Sequence, residues 1–504
     1  MNNGKICVSV CAETADEFIE DSKRAADFAD VIELRLDCLR INEIKNVIEN
    51  LRKIDKQYLV TFRPKEQGGK REMSLGERLT FWEFILSWAN KEKTLWVDFE
   101  FDLSFIVKLE KTLTIASSHD FSGLAENLPA TYEVFSITNA DVLKIAVQPN
   151  NIADSIAVWN LLGRAKKENK RIIPIAMGEA GKWTRILGLA HGAFMTYAAL
   201  GKGKETAGGQ ITAKDLIETY RVKELNEQTE IYGIVGDPVS QSLSPYIHNA
   251  AFKYHKLNAV YIPFEVKNLD EFIAKFIRRE TREVELNIKG FSVTIPHKQA
   301  IIKHLDFLDE TAEKIGAVNT VRIIDGKLYG YNTDAQGFIE PLQNAFGALK
   351  NVKVAILGNG GAARACVYAL QKAGATITIF ARNIEKAKIL AGEFQVSFDE
   401  LTFPTPDFKS FKVVVNATPL GTIGKMENET PAFADQLKDV QLAYDLVYNP
   451  IETRFLREAK SAGVPTIGGL TMLISQALAQ FKIWTELDAP MKEMSRAALR
   501  KLKS

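Results

Sequence analysis

The most specific chemistry in this sequence is a phosphate cradle. Gly358-Asn359-Gly360-Gly361-Ala362-Ala363 ends the apolar run VKVAILG (352–358) and precedes a helical stretch and a second strand-like run, ATITIF (375–380). The spacing Gly358-x-Gly360-x-x-Ala363 is that of a dinucleotide fingerprint. The first glycine permits a tight turn, the second lets a pyrophosphate approach the backbone, and the small third residue lets helix pack on strand. The pyrophosphate then meets a helix N-terminus, whose unpaired N–H groups and dipole favour an anion. Cofactor choice is read at the end of the second strand. An NAD site wants a carboxylate there for the ribose hydroxyls; this chain has Phe380-Ala381-Arg382 and then Lys386. Two cations suit a 2′-phosphate, so the expected cofactor is NADP. A second set of polar groups lies in the first half. Glu33 and Arg35, Arg63, Asp98 and Glu100, Ser118 and His119, and Lys144 fall at or near the C-terminal ends of strand-like runs.

The elements that must position these groups have two rhythms. In the first half, ICVSV (6–10), VIELRL (31–36), YLVTFR (58–63), LWVDFE (95–100), LTIASSH (113–119), VLKIAV (142–147), IIPIAM (172–177) and AFMTY (194–198) alternate with amphipathic stretches whose apolar residues recur every three or four positions. Eight strand–helix units in this span predict a (β/α)8 TIM barrel, whose chemistry belongs at the C-terminal strand ends. A polar segment, ETYRVKELNEQTE (218–230), leads to IYGIVGDP (231–238) and a further α/β region. The fold class expected is therefore α/β, with a barrel at 1–225, a further α/β domain at 230–338 and a Rossmann domain at 339–469.

Composition bounds the function. With 504 residues, 46% hydrophobic and 25% charged, the chain has material for several cores and is not disordered. Sixty-four basic against 63 acidic residues leave a net charge of +1, which argues against a nucleic-acid surface or a polybasic membrane anchor. No apolar run spans a bilayer. MNNGKICVSV enters a strand-like run without a signal core, so a cytoplasmic, reducing location is expected. The four scattered cysteines (Cys7, Cys11, Cys38, Cys366) are expected to be buried free thiols, with no disulfide frame and no metal site.

The second half carries a resemblance. Ser242-Leu243-Ser244-Pro245, SVTIPHK ending at Lys298, AVNT with Asn319, NTDAQGF with Asp334, GNGGAAR, NATPLG with Asn416 and Thr418, and YDLVYNP occur in order from residue 231 to about 500, and together they closely resemble shikimate dehydrogenase. The resemblance implies that Lys298 and Asp334 are the catalytic pair. Ser242 and Ser244 would bind a carboxylate, Thr294, Asn319 and Gln476 would hold ring hydroxyls, and Tyr448 would lie beside the substrate. Gly358, Asn359, Gly360, Gly361, Ala362, Arg382, Lys386, Asn416, Thr418, Leu446 and Gly469 would hold NADP. Hydride addition to a ketone builds negative charge on oxygen, and an ammonium beside a carboxylate can supply and organise the proton that must follow. One departure is Ala381, where the family often has asparagine.

The first half resembles type I 3-dehydroquinate dehydratase over residues 4 to about 220. The motifs are ELR with Glu33 and Arg35, TFRPKEQGG with Arg63, SSHDF with His119, LKIAV with Lys144, MGEAGKWTR with Met177 and Arg185, and TAGGQ with Thr206 and Gln210. By that resemblance Lys144 forms a Schiff base with the substrate ketone and His119 moves protons. Ser9, Glu33, Arg35, Arg63, Met177, Arg185, Thr206 and Gln210 would bind the substrate. The chemistry is sound: losing water β to a ketone requires removal of an α proton, and an iminium acidifies that position. Lys144, in an apolar strand pointing into the barrel, is expected to be desolvated and near other cations, both of which would free its amine. Two departures stand out. Gln67, preceded by Glu66, occupies the position where the family commonly has glutamate, and Gly208 replaces a proline, so a looser loop is expected there.

Together the two resemblances imply a bifunctional enzyme that dehydrates 3-dehydroquinate to 3-dehydroshikimate and reduces this to shikimate with NADPH. The alternative is a second half acting on quinate and 3-dehydroquinate. Neither nucleic acid nor membrane is an expected partner, and oligomeric state is left open.

Overall fold

The computed structural model describes residues 2–51, 53–89, 95–104, 112–123, 128–402 and 406–503. The chain divides into two compact units. One comprises Met1–Ile231, Pro238–Ser240 and Asn258–Asn287; the other comprises Tyr232–Asp237, Gln241–Leu257 and Ile288–Ser504.

In the first unit, β1 (Lys5–Val10), β2 (Val31–Arg35), β3 (Gln57–Thr61), β4 (Leu95–Glu100), β5 (Thr114–Asp120), β6 (Val142–Val147), β7 (Arg171–Ala176), β8 (Met195–Ala199) and β9 (Ile211–Thr212) form one sheet, in the order β7-β6-β5-β4-β3-β2-β1-β8-β9. All eight expected strands are present, and β9 is an addition too short to read from periodicity. The pairs are parallel, with β8 beside β1. The β7–β8 seam carries a backbone bond from Phe194 N–H to Ile172 O rather than a ladder, so the barrel is a curled sheet joined at its base. Cys7, Val31, Leu59, Ile115, Val142, Ile173, Met195 and Tyr197 fill its lower interior. Register then puts the polar residues side by side one layer up: Ser9 beside Glu33, Thr61 beside Asp98, and Ser117 beside Lys144. The segment Asn258–Asn287, expected to belong with the second half, groups with this unit. Phe276 meets Trp183 edge-on at 5.5 Å, and Arg221 Nη2 donates to Ala259 O at 2.8 Å.

The cysteine expectation needs correcting. Cys11 and Cys38 form a disulfide with Cα atoms 5.4 Å apart, and only Cys7 and Cys366 are free and buried. Both bridged residues lie just beyond the C-terminal ends of adjacent strands, so strand pairing brings together residues 27 apart in sequence.

In the second unit, the strand Glu230–Gly236 is followed across the sheet by Ile288–Val293, Thr320–Ile324, Lys327–Tyr331 and Phe307–Leu308. Asp325 and Gly326, both at positive φ, turn the central hairpin. A second sheet has the order Ser397–Glu400, Thr376–Ala381, Lys353–Leu357, Val413–Asn416, Leu442–Asp445, Thr466–Ile467. Its neighbours are parallel, and the order is that of a doubly wound Rossmann sheet with its switch point between the strands ending at Leu357 and Asn416. The helices Asp334–Phe346 and Gly469–Thr485 pack closely because Gly337 has no side chain; a Cβ there would sit 2.8 Å from that of Gln476.

Among the described residues no helix is long and apolar enough to cross a membrane, and no group of three or more His, Cys, Asp or Glu is placed to hold a metal.

Candidate active sites

The barrel mouth is built around Lys144. Its side chain points inward from β6 and the residue is 3% exposed. Nζ lies 2.9 Å from Asp98 Oδ2, 3.7 Å from Glu33 Oε1 and 4.0 Å above the Tyr197 ring. The immediate neighbours are thus two carboxylates and an aromatic face. The expected cation is there as well, since Arg63 bonds the same Asp98 oxygen as the amine; the carboxylates between them were not expected. Arg63 Nη2 donates to Asp98 Oδ2 at 2.9 Å, and its Nη1 donates to Ser117 Oγ at 2.7 Å. Burial alone would raise the Asp98 carboxyl, but Arg63, Lys144 and the Ser117 hydroxyl hold it below the ordinary range. Glu33 accepts from the hydroxyls of Ser9 and Thr61. Arg35 is clamped to Asp37 through Nε at 2.8 Å and Nη2 at 2.9 Å, and Asp37 also takes the backbone N–H groups of Arg63 and Lys70.

His119 and Arg185 complete the wall. Burial, reinforced by Arg63, Lys144, Arg35 and Arg185, pushes the His119 imidazole well below its ordinary value, so the ring is neutral at physiological pH. Arg185 is nearly solvent-free, its Nε and Nη1 have no hydrogen-bond partner, and burial lowers it to about 10. A buried guanidinium with idle donors suits an anionic ligand. The loop expected to be loose at Gly208 is tied down. Gly178 N–H bonds Gly208 O at 3.0 Å, and Thr206 N–H and Gln210 Nε2 close a two-bond ring with each other's side chains at 2.8 and 3.0 Å.

All ten barrel residues expected at a site (Ser9, Glu33, Arg35, Arg63, His119, Lys144, Met177, Arg185, Thr206 and Gln210) line one cavity. Gln67 lines it too, whereas Glu66 is exposed. Tyr197 and Phe121, also in the lining, and the hub Asp37 escaped the sequence reading. Asp37 could have been found from its position two residues after Arg35.

The second cleft is built around a Lys–Asp pair. Lys298 Nζ lies 2.5 Å from Asp334 Oδ2, with side chains 18% and 8% exposed. Asp334 opens a helix, and Asn319 Nδ2 donates to its other oxygen at 2.8 Å. Ser242, Ser244, Thr294, Asn319, Tyr448 and Gln476 line the same cavity, of about 230 Å3, with Ala362, Leu446 and Gly469 on its cofactor side. Ser292 and Gln480 were missed. Ser292 Oγ donates to Gln480 Oε1 at 2.9 Å, and Gln480 is one helical turn beyond Gln476, which was the available signal.

The residues present fit a dinucleotide. Gly358 has φ +119, and a Cβ there would lie 2.8 Å from Ala417 O, so only glycine makes this turn. Gly360 caps the helix Gly361–Lys372 with open space at its side-chain position. Asn359 Nδ2 donates to Asn383 O at 3.1 Å, and Arg382 and Lys386 are exposed beyond the second strand. Asn416 has a different place from the one expected. It is wholly buried, its Nδ2 donates to Asp445 at 2.9 Å and its Oδ1 accepts from Thr418 N–H and Oγ1–H, so it holds Thr418 rather than facing the cleft.

A buried strand lysine among carboxylates in a barrel mouth, and a Lys–Asp pair beside an NADP-type cradle, define the class as an enzyme with two active sites, one per unit. Comparison with known proteins is consistent with this. A family model described as type I 3-dehydroquinase matches residues 6–227. Models described as shikimate dehydrogenase substrate binding domain, shikimate / quinate 5-dehydrogenase and shikimate 5'-dehydrogenase C-terminal domain match residues 234–321, 340–440 and 469–499. The chain is 34% identical over 518 residues to the bifunctional 3-dehydroquinate dehydratase/shikimate dehydrogenase, chloroplastic, of Arabidopsis thaliana, across 97% of this chain and 83% of that protein. It is 41% identical over 288 residues to shikimate dehydrogenase (NADP(+)) of Methanocaldococcus jannaschii, across 55% of this chain and 99% of the relative. A crystal structure of shikimate dehydrogenase in complex with NADP+ matches with a TM-score of 0.51 at 40% identity, covering 56% of this chain and 98% of that one. The chain belongs to the bifunctional 3-dehydroquinate dehydratase/shikimate dehydrogenase family.

Proposed function

We propose that the barrel converts 3-dehydroquinate to 3-dehydroshikimate through a Schiff base on Lys144, and that the second unit reduces this product to shikimate with NADPH. The observation that carries the first half is the Lys144 amine, buried and held by Asp98 and Glu33, in a cavity whose wall holds the idle Arg185 guanidinium. Arg185 binds the substrate carboxylate. The amine adds to the ketone, water leaves, and the iminium draws electrons from the neighbouring C–H bond. His119 takes that proton and returns it to the departing β-hydroxyl, which leaves as a second water; hydrolysis then frees Lys144.

In the second unit, Ser242 and Ser244 hold the carboxylate, while Thr294, Asn319 and Gln476 hold ring hydroxyls. NADPH supplies a hydride when bound, with Gly358 to Ala362, Thr418, Leu446 and Gly469 around it and Arg382 and Lys386 at the 2′-phosphate. Lys298 gives a proton to the developing alkoxide, and Asp334 keeps the ammonium aimed. We assign the functional segments as 1–225, 230–338 with 470–504, and 339–469, and the location as cytoplasmic.

Electrospray mass after borohydride and 3-dehydroquinate tests the first reaction. The expected result is a ligand-sized increase that Lys144→Ala abolishes; an unchanged wild-type mass defeats the Schiff-base reading. A quinate-type second half is the alternative, since one matching model spans shikimate and quinate enzymes. Faster NADPH oxidation with 3-dehydroshikimate than with 3-dehydroquinate, measured on Lys144→Ala, is expected.

A further inference from the structure

The Lys144 amine touches one group besides its two carboxylates. Tyr197 on β8 is 3% exposed, lines the same cavity as Lys144, and presents its ring face to Nζ at 4.0 Å from the centroid. Its hydroxyl is buried with no hydrogen-bond partner, so a bond at the phenol does not explain the ring's place. Its companions in the barrel interior include Val31, Leu59, Ile115 and Val142, so packing alone asks only for an apolar side chain of fitting size.

What the ring meets is a charge whose hydrogen bonding changes during the reaction. The ammonium has three N–H donors and faces Asp98 at 2.9 Å and Glu33 at 3.7 Å. Condensation joins Nζ to the ketone carbon, and the carbonyl oxygen leaves as water with two of the ammonium protons. The iminium keeps the positive charge and one N–H. That single donor lies in the plane of the C=N bond and gives one direct hydrogen bond, while the carboxylates stand on β4 and β2. A ring face needs no N–H: its quadrupole attracts the cation itself, and more strongly where water is excluded. The Tyr197 contact therefore survives the change from ammonium to iminium, in which two of three donors are lost.

We propose that Tyr197 is a catalytic residue of the dehydratase: its ring face holds the positive charge of the iminium formed between Lys144 and the substrate ketone, and so sets how much of the enzyme is carried as that adduct. The inference rests on the Schiff-base reading of Lys144 and adds the group that stabilises the cation once the amine's protons are spent. Asp98 fixes the amine before the ketone arrives, and Tyr197 keeps the charge afterwards. Removal of the α proton turns the iminium into a neutral enamine, which leaves the ring no charge to hold. The contact is thus felt in adduct formation more than in the elimination that follows.

The test measures the initial rate of mass gain when the full chain is mixed with 3-dehydroquinate and borohydride. It compares wild type, Tyr197→Phe, Tyr197→Leu and chains carrying phenylalanine with one, two or three ring fluorines at position 197. Fluorine drains the negative face and leaves the outline of the ring nearly unchanged. Tyr197→Phe is expected to keep the rate within about twofold, because both rings present a similar face. Each added fluorine should lower the rate, to a total of about 10-fold at three, and Tyr197→Leu should lose about as much. A rate indifferent to fluorine count overturns the proposal, whatever Tyr197→Leu does to folding. A loss in Tyr197→Phe as large as that in Tyr197→Leu overturns it too, because the hydroxyl would then be the working part. If wild type gains no mass, or Lys144→Ala gains as much as wild type, the Schiff-base reading itself falls, and the proposal with it.

Discussion

Both sites are centred on a lysine and an aspartate, yet the pairs are built for opposite ends. Lys144 on β6 and Asp98 on β4 meet in the barrel interior with β5 between their strands, 4% and 0% exposed, with Glu33, Arg63 and Ser117 closing the network. Lys298 and Asp334 lie on a loop and a helix start, 18% and 8% exposed, with Asn319 as the amide neighbour of Asp334. An amine that must bond carbon gains from a dry, fixed cage. An amine that must lend a proton and recover it needs a path to water. Burial and the number of fixed partners, not residue type, separate a nucleophile from a proton donor.

Variants can break this contrast. Lys144→Ala should cost the dehydratase at least about 10⁴-fold in kcat and leave NADPH-dependent reduction untouched; matching losses in both assays would mean that the sites are not independent. Asp334→Asn should lower reductase kcat by about 10²–10⁴-fold, with 3-dehydroquinate dehydration unchanged. The two aspartates should also differ in stability. Asp98→Asn strands the Arg63 and Lys144 charges in a dry interior and should destabilise the barrel by about 3–5 kcal/mol in urea. Asp334→Asn, beside a lysine whose side chain is 18% exposed, should cost less, about 1–3 kcal/mol, and equal costs would erase the distinction.

The smallest effect concerns Glu100. Both of its oxygens lack hydrogen bonds, its nearest cation is Arg78 at 3.7 Å, and burial pushes the carboxyl up to about 7. A carboxyl preferred as the acid in the folded state contributes its stability below the unfolded range near pH 4.3 and loses it as pH rises through about 7. Glu100→Gln should therefore come closest to wild type in urea at about pH 4 and exceed it by about 1–3 kcal/mol at about pH 8.5.

How much of this could be read in advance depended on distance along the chain. The cradle at Gly358 was legible because its three small residues span one turn, and the barrel because each strand carries its own periodicity. Lys144 and His119 were legible as strand-end groups. The cage around Lys144 was not, because Asp98 is 46 residues away and only the parallel register joins them. The Cys11–Cys38 bridge was missed for the same reason. Asn416 shows the opposite error: its motif marked the right neighbourhood, but nothing local indicated that its amide is spent on Asp445 and Thr418.

Gly361 merits a last thought. A Cβ placed there would come 3.2 Å from Lys298 Cδ, so the stem of the lysine proposed as proton donor leans directly on the main chain that starts the cofactor helix. That spacing is gauged by backbone rather than by any trimmable side chain. Drift at this position can only add bulk, and bulk would wedge the amine off its mark, so the ruler between proton and hydride has no adjustment in the shortening direction.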